Sequence, residues 1–250
     1  MLHASVRAVG PVAGGPNEIH LALKDALTDE GTLLMYAGCP RYFDEIGRGN
    51  LTREEEVELH EKLPAFDPLA APSARDNGAL VEFFRTFPGT RVSDHVTRFV
   101  ASGKHAEHLL SDQPWDFTYG RGSVLDRFLE LGGKILLLGS DHDNVTFLHY
   151  VEHVAPIPDR IVATFMVPVL RDGKKVWRQV KEFDTAERAH SAWPDRFFAQ
   201  IVDSHLEATN QGARYVGRAP SFLIDARLLA RDAESIMTAT ANVLNFNAHG

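Results

Sequence analysis

The feature that most constrains this chain is a short apolar run, Ile135-Leu-Leu-Leu-Gly139, that leads straight into Ser140-Asp-His-Asp-Asn-Val-Thr-Phe-Leu-His-Tyr-Val-Glu-His153. Continuous apolar residues closed by a glycine read as a buried strand leaving its sheet. Asp141, Asp143 and Asn144 can each cap a helix that starts near Val145. On that helix Thr146, His149, Glu152 and His153 recur at spacings of three and four, which places them on one face. A hydroxyl, two imidazoles and a carboxylate are thus gathered beyond the end of a sheet strand, where open α/β sheets bind ligands.

The rest of the pattern supplies the partners of that strand. Gly10-Pro11 and Gly14-Gly15-Pro16 form a turn-rich loop, and Asn17 can cap a helix with an apolar stripe of Ile19, Leu23, Ala26 and Leu27. Gly31-Thr-Leu-Leu-Met-Tyr36 reads as a second buried strand. Residues 38–75 are irregular, with a charged helical patch over 53–63 and many acids, among them Asp44, Glu45, Glu54, Glu58 and Asp67. So long an insertion is usually functional. Asp76 or Asn77 starts a helix through Leu80, Phe83 and Phe84. Residues 91–100 alternate like a strand, and 104–110 form a short helix. An aromatic loop, 115–122, precedes a helix capped by Ser123. Arg171-Asp-Gly-Lys174 is the turn of a β-hairpin. Amphipathic helices over 194–206 and 227–244 enclose two short strands around Pro220. The expected architecture is α/β, a mixed central β-sheet flanked by helices, with residues 1–250 forming one domain and long loops at one end.

Composition narrows the function classes. A net charge of −8 and an isoelectric point near 5.8 lack the basic footprint of a nucleic-acid binder. An acidic balance suits a cationic partner better. The single cysteine, Cys39, excludes a disulfide framework and a Cys-rich zinc site. No stretch has the length of a membrane span and the start lacks a signal-peptide pattern, so a cytoplasmic location is expected.

Three chemical readings of the helix stand side by side. His149-Tyr-Val-Glu-His153 matches H-x-x-E-H, in which two histidines bind zinc and the glutamate acts as base; the third ligand would be a distant carboxylate such as Glu207. Alternatively, one histidine is a general base, Glu152 orients it, and Thr146 donates to a developing oxyanion. That constellation suits acyl transfer to an amine. In the third reading the helix is only packed, with His153 at the surface.

Eight blocks of sequence, in order, bear on the choice: Leu2-His-Ala-Ser-Val-Arg-Ala-Val-Gly-Pro11 with Gly14-Gly15-Pro16; Glu30-Gly-Thr-Leu33; Phe66-Asp-Pro68; Arg75-Asp-Asn-Gly78; Tyr119-Gly120 with Ser123; Thr146-Phe-Leu-His149 with Glu152-His153; Glu182-Phe-Asp-Thr185; and Val216-Gly-Arg-Ala-Pro-Ser-Phe-Leu-Ile-Asp225. Together they resemble the aminoglycoside 3-N-acetyltransferase family across nearly the whole chain. The resemblance implies acetyl-CoA as co-substrate, no metal, and an aminoglycoside antibiotic as acceptor, with resistance as the outcome. It implies that His149 deprotonates the 3-amino group of the deoxystreptamine ring, that Glu152 orients His149, and that Thr146 sits by the thioester. His3, Ala4, Ser5, Val6 and Arg7 would lie along the acetyl-CoA arm. Carboxylates and aromatics would receive the polycationic drug, with Asp67, Glu182 and Asp184 as the acids and Tyr36, Trp115 and Phe117 beneath the sugar rings. A related N-acyltransferase acting on a different amine would share these features, and a homodimer is compatible with them.

The chain departs from the family pattern in three places. Residues that precede the His3 block in relatives are missing here. Ser93-Asp-His95 is followed by Val96 where many relatives have proline. Residues 38–50, which include Gly38-Cys-Pro-Arg-Tyr-Phe-Asp44, match weakly.

Overall fold

In the computed structural model of the chain, residues 1–158, 160–184 and 193–249 are described, with side chains as far as Leu244. In chain order the first half comprises β1 (Leu2–Ala4), α1 (Val6–Val9), α2 (Asn17–Leu27), β2 (Thr32–Tyr36), α3 (Arg53–Lys62), α4 (Ala79–Arg85), β3 (Arg91–Val92), β4 (Phe99–Gly103) and α5 (Ala106–Leu110). There follow α6 (Val124–Glu130), β5 (Lys134–Leu138), α7 (Leu148–Val154), β6 (Val162–Arg171), β7 (Lys174–Phe183), α8 (Phe197–Ala208), β8 (Arg214–Val216), β9 (Ala219–Asp225) and α9 (Ala226–His249).

The expected buried strand is β5, near the middle of a mixed sheet ordered β1-β5-β9-β8. It runs parallel to β1, with Leu2 opposite Leu136, and antiparallel to β9, with Leu138 opposite Ser221. Ile135 and Leu137 are fully buried beneath a helical layer that includes Phe147, Leu148, Val151, Ile201, Leu229 and Met237. Burying Phe147 and Leu148 contributes roughly 1.5–3 kcal/mol each, enough to hold α7 against the sheet. Gly139 then ends the strand at φ +62°, and a Cβ there would lie 2.5 Å from the Ala8 side chain. Only glycine fits where the chain leaves the sheet beside α1.

A second, antiparallel sheet of order β2-β4-β3 packs Leu33, Met35 and Val100 against Phe84 of α4. The third is the β6–β7 hairpin, whose turn residues Asp172 and Gly173 both have positive φ, as the Asp-Gly signal requires. The 38–75 insertion lies along this hairpin through bridges of Ile46 to Met166 and Phe66 to Val169. Arg98 holds the neck of that insertion. Its fully buried guanidinium donates to the carbonyls of Gly38, Pro68, Ala71 and Pro72 at 2.5–3.0 Å, and its own backbone oxygen accepts from Ala37 and Gly38.

Two expectations about local structure need correction. Residues 91–100 are not one strand: the Ser93 hydroxyl accepts from the Phe99 N–H and His95 Nδ1 from the Thr97 N–H, and these local bonds turn the chain between β3 and β4. The helix expected from Val145 begins at Leu148. Asp141 instead caps a one-turn 3-10 segment, His142–Asn144, while Asp143 accepts from the Ala199 N–H at the start of α8. Thr146 therefore sits in the turn before the helix, its carbonyl accepting from the His149 N–H. Among the described residues no helix is long and apolar enough to cross a membrane.

Candidate active site

The end of β5 opens into a cleft of about 800 Å³. One wall is the turn from β1 into α1, formed by His3, Ala4, Ser5, Val6 and Arg7; the other carries Gly139, Ser140, Asn144 and Thr146. Residues 76–79 lie along it, while Tyr36, Tyr119, His149 and Phe198 surround its inner end.

Among the described residues, His149 is held through Nδ1. Its Nδ1 lies 2.7 Å from Oε2 of Glu152, one turn along α7, and Glu152 is only 5% exposed. An ionised carboxylate can only accept, so Nδ1 carries a hydrogen, and in the neutral ring the lone pair is then on Nε2. The ring sits edge-on to Phe198 at 4.9 Å and 5.1 Å from the ring of Tyr119. The arrangement fixes the ring's orientation towards the cleft, and in its neutral form the imidazole can accept a proton at Nε2 from a bound nucleophile.

His153 does not lie at the surface. Its ring is buried, with Nδ1 2.6 Å from the carbonyl of His149 and Nε2 2.5 Å from Oε1 of Glu182. A carbonyl and a carboxylate both accept, so both nitrogens donate and neither offers a lone pair to a metal. The H-x-x-E-H zinc reading fails on this geometry: His153 serves the fold, Glu152 serves His149, and Glu207 is exposed on α8.

The expected site residues divide into two groups. His3, Ala4, Ser5, Val6, Arg7, Tyr36, Thr146 and His149 all line the cleft, with Glu152 directly behind His149. Within this group Ser5 Oγ also accepts from the Ala8 N–H, and burial pushes the His3 imidazole down to about 3, so it is neutral. Asp67, Trp115, Phe117, Glu182 and Asp184 do not line it. Asp67 folds back on its own turn, accepting from the Leu69 and Ala70 N–H groups. Trp115 packs on His95, with Arg178 over its ring at 4.3 Å, and Phe117 packs on Phe183. Glu182 is 5% exposed; besides His153 it accepts from the N–H and hydroxyl of Thr118, both at 2.7 Å, and from its neighbour Phe183. Burial raises the Glu182 pKa, but the His153 and Thr118 donors outweigh it and leave the carboxyl below its ordinary range. Asp184 follows the last residue of β7, its N–H bonded to the Ile161 carbonyl. Thr185, the last residue of its matched block, lies outside the described residues.

Tyr119, Phe198 and residues 76–79 were not singled out as site residues from sequence. Tyr119 and residues 76–78 fall within matched blocks, which was the available signal. Phe198 offered none, since its place beside His149 depends on how α8 packs against the 142–144 turn.

Similarity to known proteins defines the class first: these are acetyltransferases. The chain is 38% identical over 237 residues to aminoglycoside N(3)-acetyltransferase III of Pseudomonas aeruginosa, covering 93% of this chain and 84% of the relative. It is 35% identical to aminoglycoside N(3)-acetyltransferase VII of Streptomyces paromomycinus, covering 91% and 81%. Among solved structures, AAC-IIIb in a binary complex with CoASH superposes with a TM-score of 0.86 at 36% identity, over 95% of this chain and 88% of that one. AAC-VIa bound to sisomicin gives 0.86 at 34% identity, over 96% and 90%. With residues 1–238 matching the family as a whole, this chain belongs to the aminoglycoside 3-N-acetyltransferase family.

Proposed function

We propose that the protein transfers the acetyl group of acetyl-CoA directly to the 3-amino group of 2-deoxystreptamine aminoglycosides, with His149 as general base. The observation that carries this reading is the His149–Glu152 contact at the inner end of a cleft also lined by residues 3–7. The lining of the cleft includes both His149 and the exposed Arg7, a cation suited to a phosphate of the co-substrate. For the acceptor, the chain's net charge of −8 favours a polycation.

In this mechanism His149 Nε2 removes a proton as the amine attacks the thioester carbonyl, and Glu152 stabilises the imidazolium that forms. Thr146, on the same wall, sits by the thioester. His149 then returns the proton to the departing thiolate, so amide and thiol leave without an acyl-enzyme. Burial and the nearby Asp44 raise the Cys39 thiol well above its ordinary pKa, which makes it a poor alternative nucleophile. Acetylation removes one of the drug's positive charges, which is the chemical basis of resistance.

The test is thiol release from acetyl-CoA with a panel of 2-deoxystreptamine drugs, for wild type and His149→Ala. The expected result is drug-dependent release that a chelator leaves intact. His149→Ala should lose on the order of 10²–10⁴ in kcat with little change in acetyl-CoA affinity. Near-normal turnover in the variant would refute the base assignment. Release with no drug tested would point to a different amine as acceptor.

A further inference from the structure

Two tyrosines stand at the inner end of the cleft with one proton more than their mutual bond uses. The hydroxyls of Tyr36 and Tyr119 are 3.1 Å apart, and both residues line the cleft with His149. Burial raises both pKa values, so both phenols stay protonated. Two O–H groups that share one hydrogen bond leave one O–H over, and among the described residues neither hydroxyl has a second partner. Either hydroxyl can be the donor in that bond, and the two differ in what lies beside them. The Tyr36 ring packs edge-on against the core residue Phe99 at 5.2 Å, whereas the Tyr119 ring lies 5.1 Å from that of His149. In the arrangement where Tyr36 donates, the Tyr119 hydrogen is left beside His149, and the bond Tyr119 accepts polarises its own O–H into a better donor. Gly38, at φ +58°, keeps the Tyr36 hydroxyl uncrowded: a Cβ there would stand 3.3 Å from it.

We propose that Tyr119 is a catalytic residue whose hydroxyl donates to the acyl carbonyl oxygen as the amine adds, and that Tyr36 is its positioning residue. This rests on the acetyl-transfer reading above. As the C–N bond forms, the carbonyl π pair moves onto oxygen, and Tyr119 stabilises that charge without giving up its proton. His149 takes the amine proton; the pair then returns, the C–S bond breaks, and His149 protonates the sulfur. A protonated donor already in place serves a developing oxyanion with little reorganisation.

The experiment compares wild type with Tyr119→Phe, Tyr36→Phe and a variant carrying fluorotyrosine at position 119, each checked for fold by circular dichroism. Tyr119→Phe is expected to lower kcat about a hundredfold with both KM values within about twofold. Tyr36→Phe should give a smaller loss, and fluorotyrosine, which restores the hydroxyl, should recover turnover. Unchanged kcat in Tyr119→Phe would overturn the proposal. So would a raised drug KM with kcat retained, which would make the hydroxyl a drug-binding group, or a failure of fluorotyrosine to recover what phenylalanine loses. Wild-type enzyme that releases no thiol with any drug would instead refute the aminoglycoside reading above, and the proposal that rests on it.

Discussion

Replacing Glu182 by glutamine perturbs the interior behind His149 without changing its shape. Each oxygen of the carboxylate accepts twice: Oε2 from the N–H and hydroxyl of Thr118, Oε1 from His153 and from the Phe183 N–H. A glutamine amide has a single oxygen, so its NH₂ must face donors on one side, and the buried His153 loses its counter-charge. Breaking a buried ion pair by removing one partner costs about 3–5 kcal/mol. At roughly 2–4 °C per kcal/mol for a chain of this size, the expected fall in Tm is roughly 6–20 °C. The pH dependence has a definite sign. The carboxyl titrates below its ordinary range in the folded state, so its contribution is full above the unfolded value near pH 4.3 and is lost as pH falls through the lower folded value. The gap between wild type and Glu182→Gln should therefore be widest near pH 7 and shrink below about pH 4. Thermal unfolding followed by circular dichroism across that range measures both. A fall of less than about 2 °C at pH 7, or a gap that does not narrow in acid, would refute the buried-pair account.

Arg98→Met leaves four carbonyls that accept from the guanidinium without that donor; at about 1–3 kcal/mol for each that stays unsatisfied, the variant should be at least about 4 kcal/mol less stable in urea titrations, and a loss under 1 kcal/mol would contradict the assigned contacts. Burial holds His95 down to about 3 from an ordinary 6.5, so the unfolded chain binds its proton first. Stability should therefore decline as pH drops from 6.5 towards 3, by up to about 1.4 kcal/mol per unit, and His95→Asn should flatten that part of the profile of unfolding free energy against pH.

What the sequence made legible was local. The run into Gly139 marked the central strand, the Asp172-Gly173 turn marked the hairpin, and the three-residue spacing from His149 to Glu152 foretold their contact, because each is set by neighbours along the chain. What stayed hidden depended on partners far away in sequence. Glu182 read as an acid that receives a cationic drug, whereas in the structure Thr118 and His153, 64 and 29 residues earlier, occupy its oxygens. Trp115 and Phe117 read as sugar platforms, yet they pack against the hairpin region. The late start of α7 has the same origin: Asp143, a suitable cap, is drawn to the first turn of α8. The matched blocks located the cleft because they record which distant segments meet, something periodicity does not carry.

The clasp at Arg98 also bears on how such enzymes can diversify. It fastens Gly38 to residues 68–72, so the backbone between those points enters and leaves at one place. Lengthening a segment whose ends are already joined is cheap, since doubling a flexible loop costs only about 0.6 kcal/mol in closure entropy. The stretch between the fastened ends can thus be exchanged as a cassette while the central sheet, the cleft wall and the histidine–glutamate dyad are inherited unchanged.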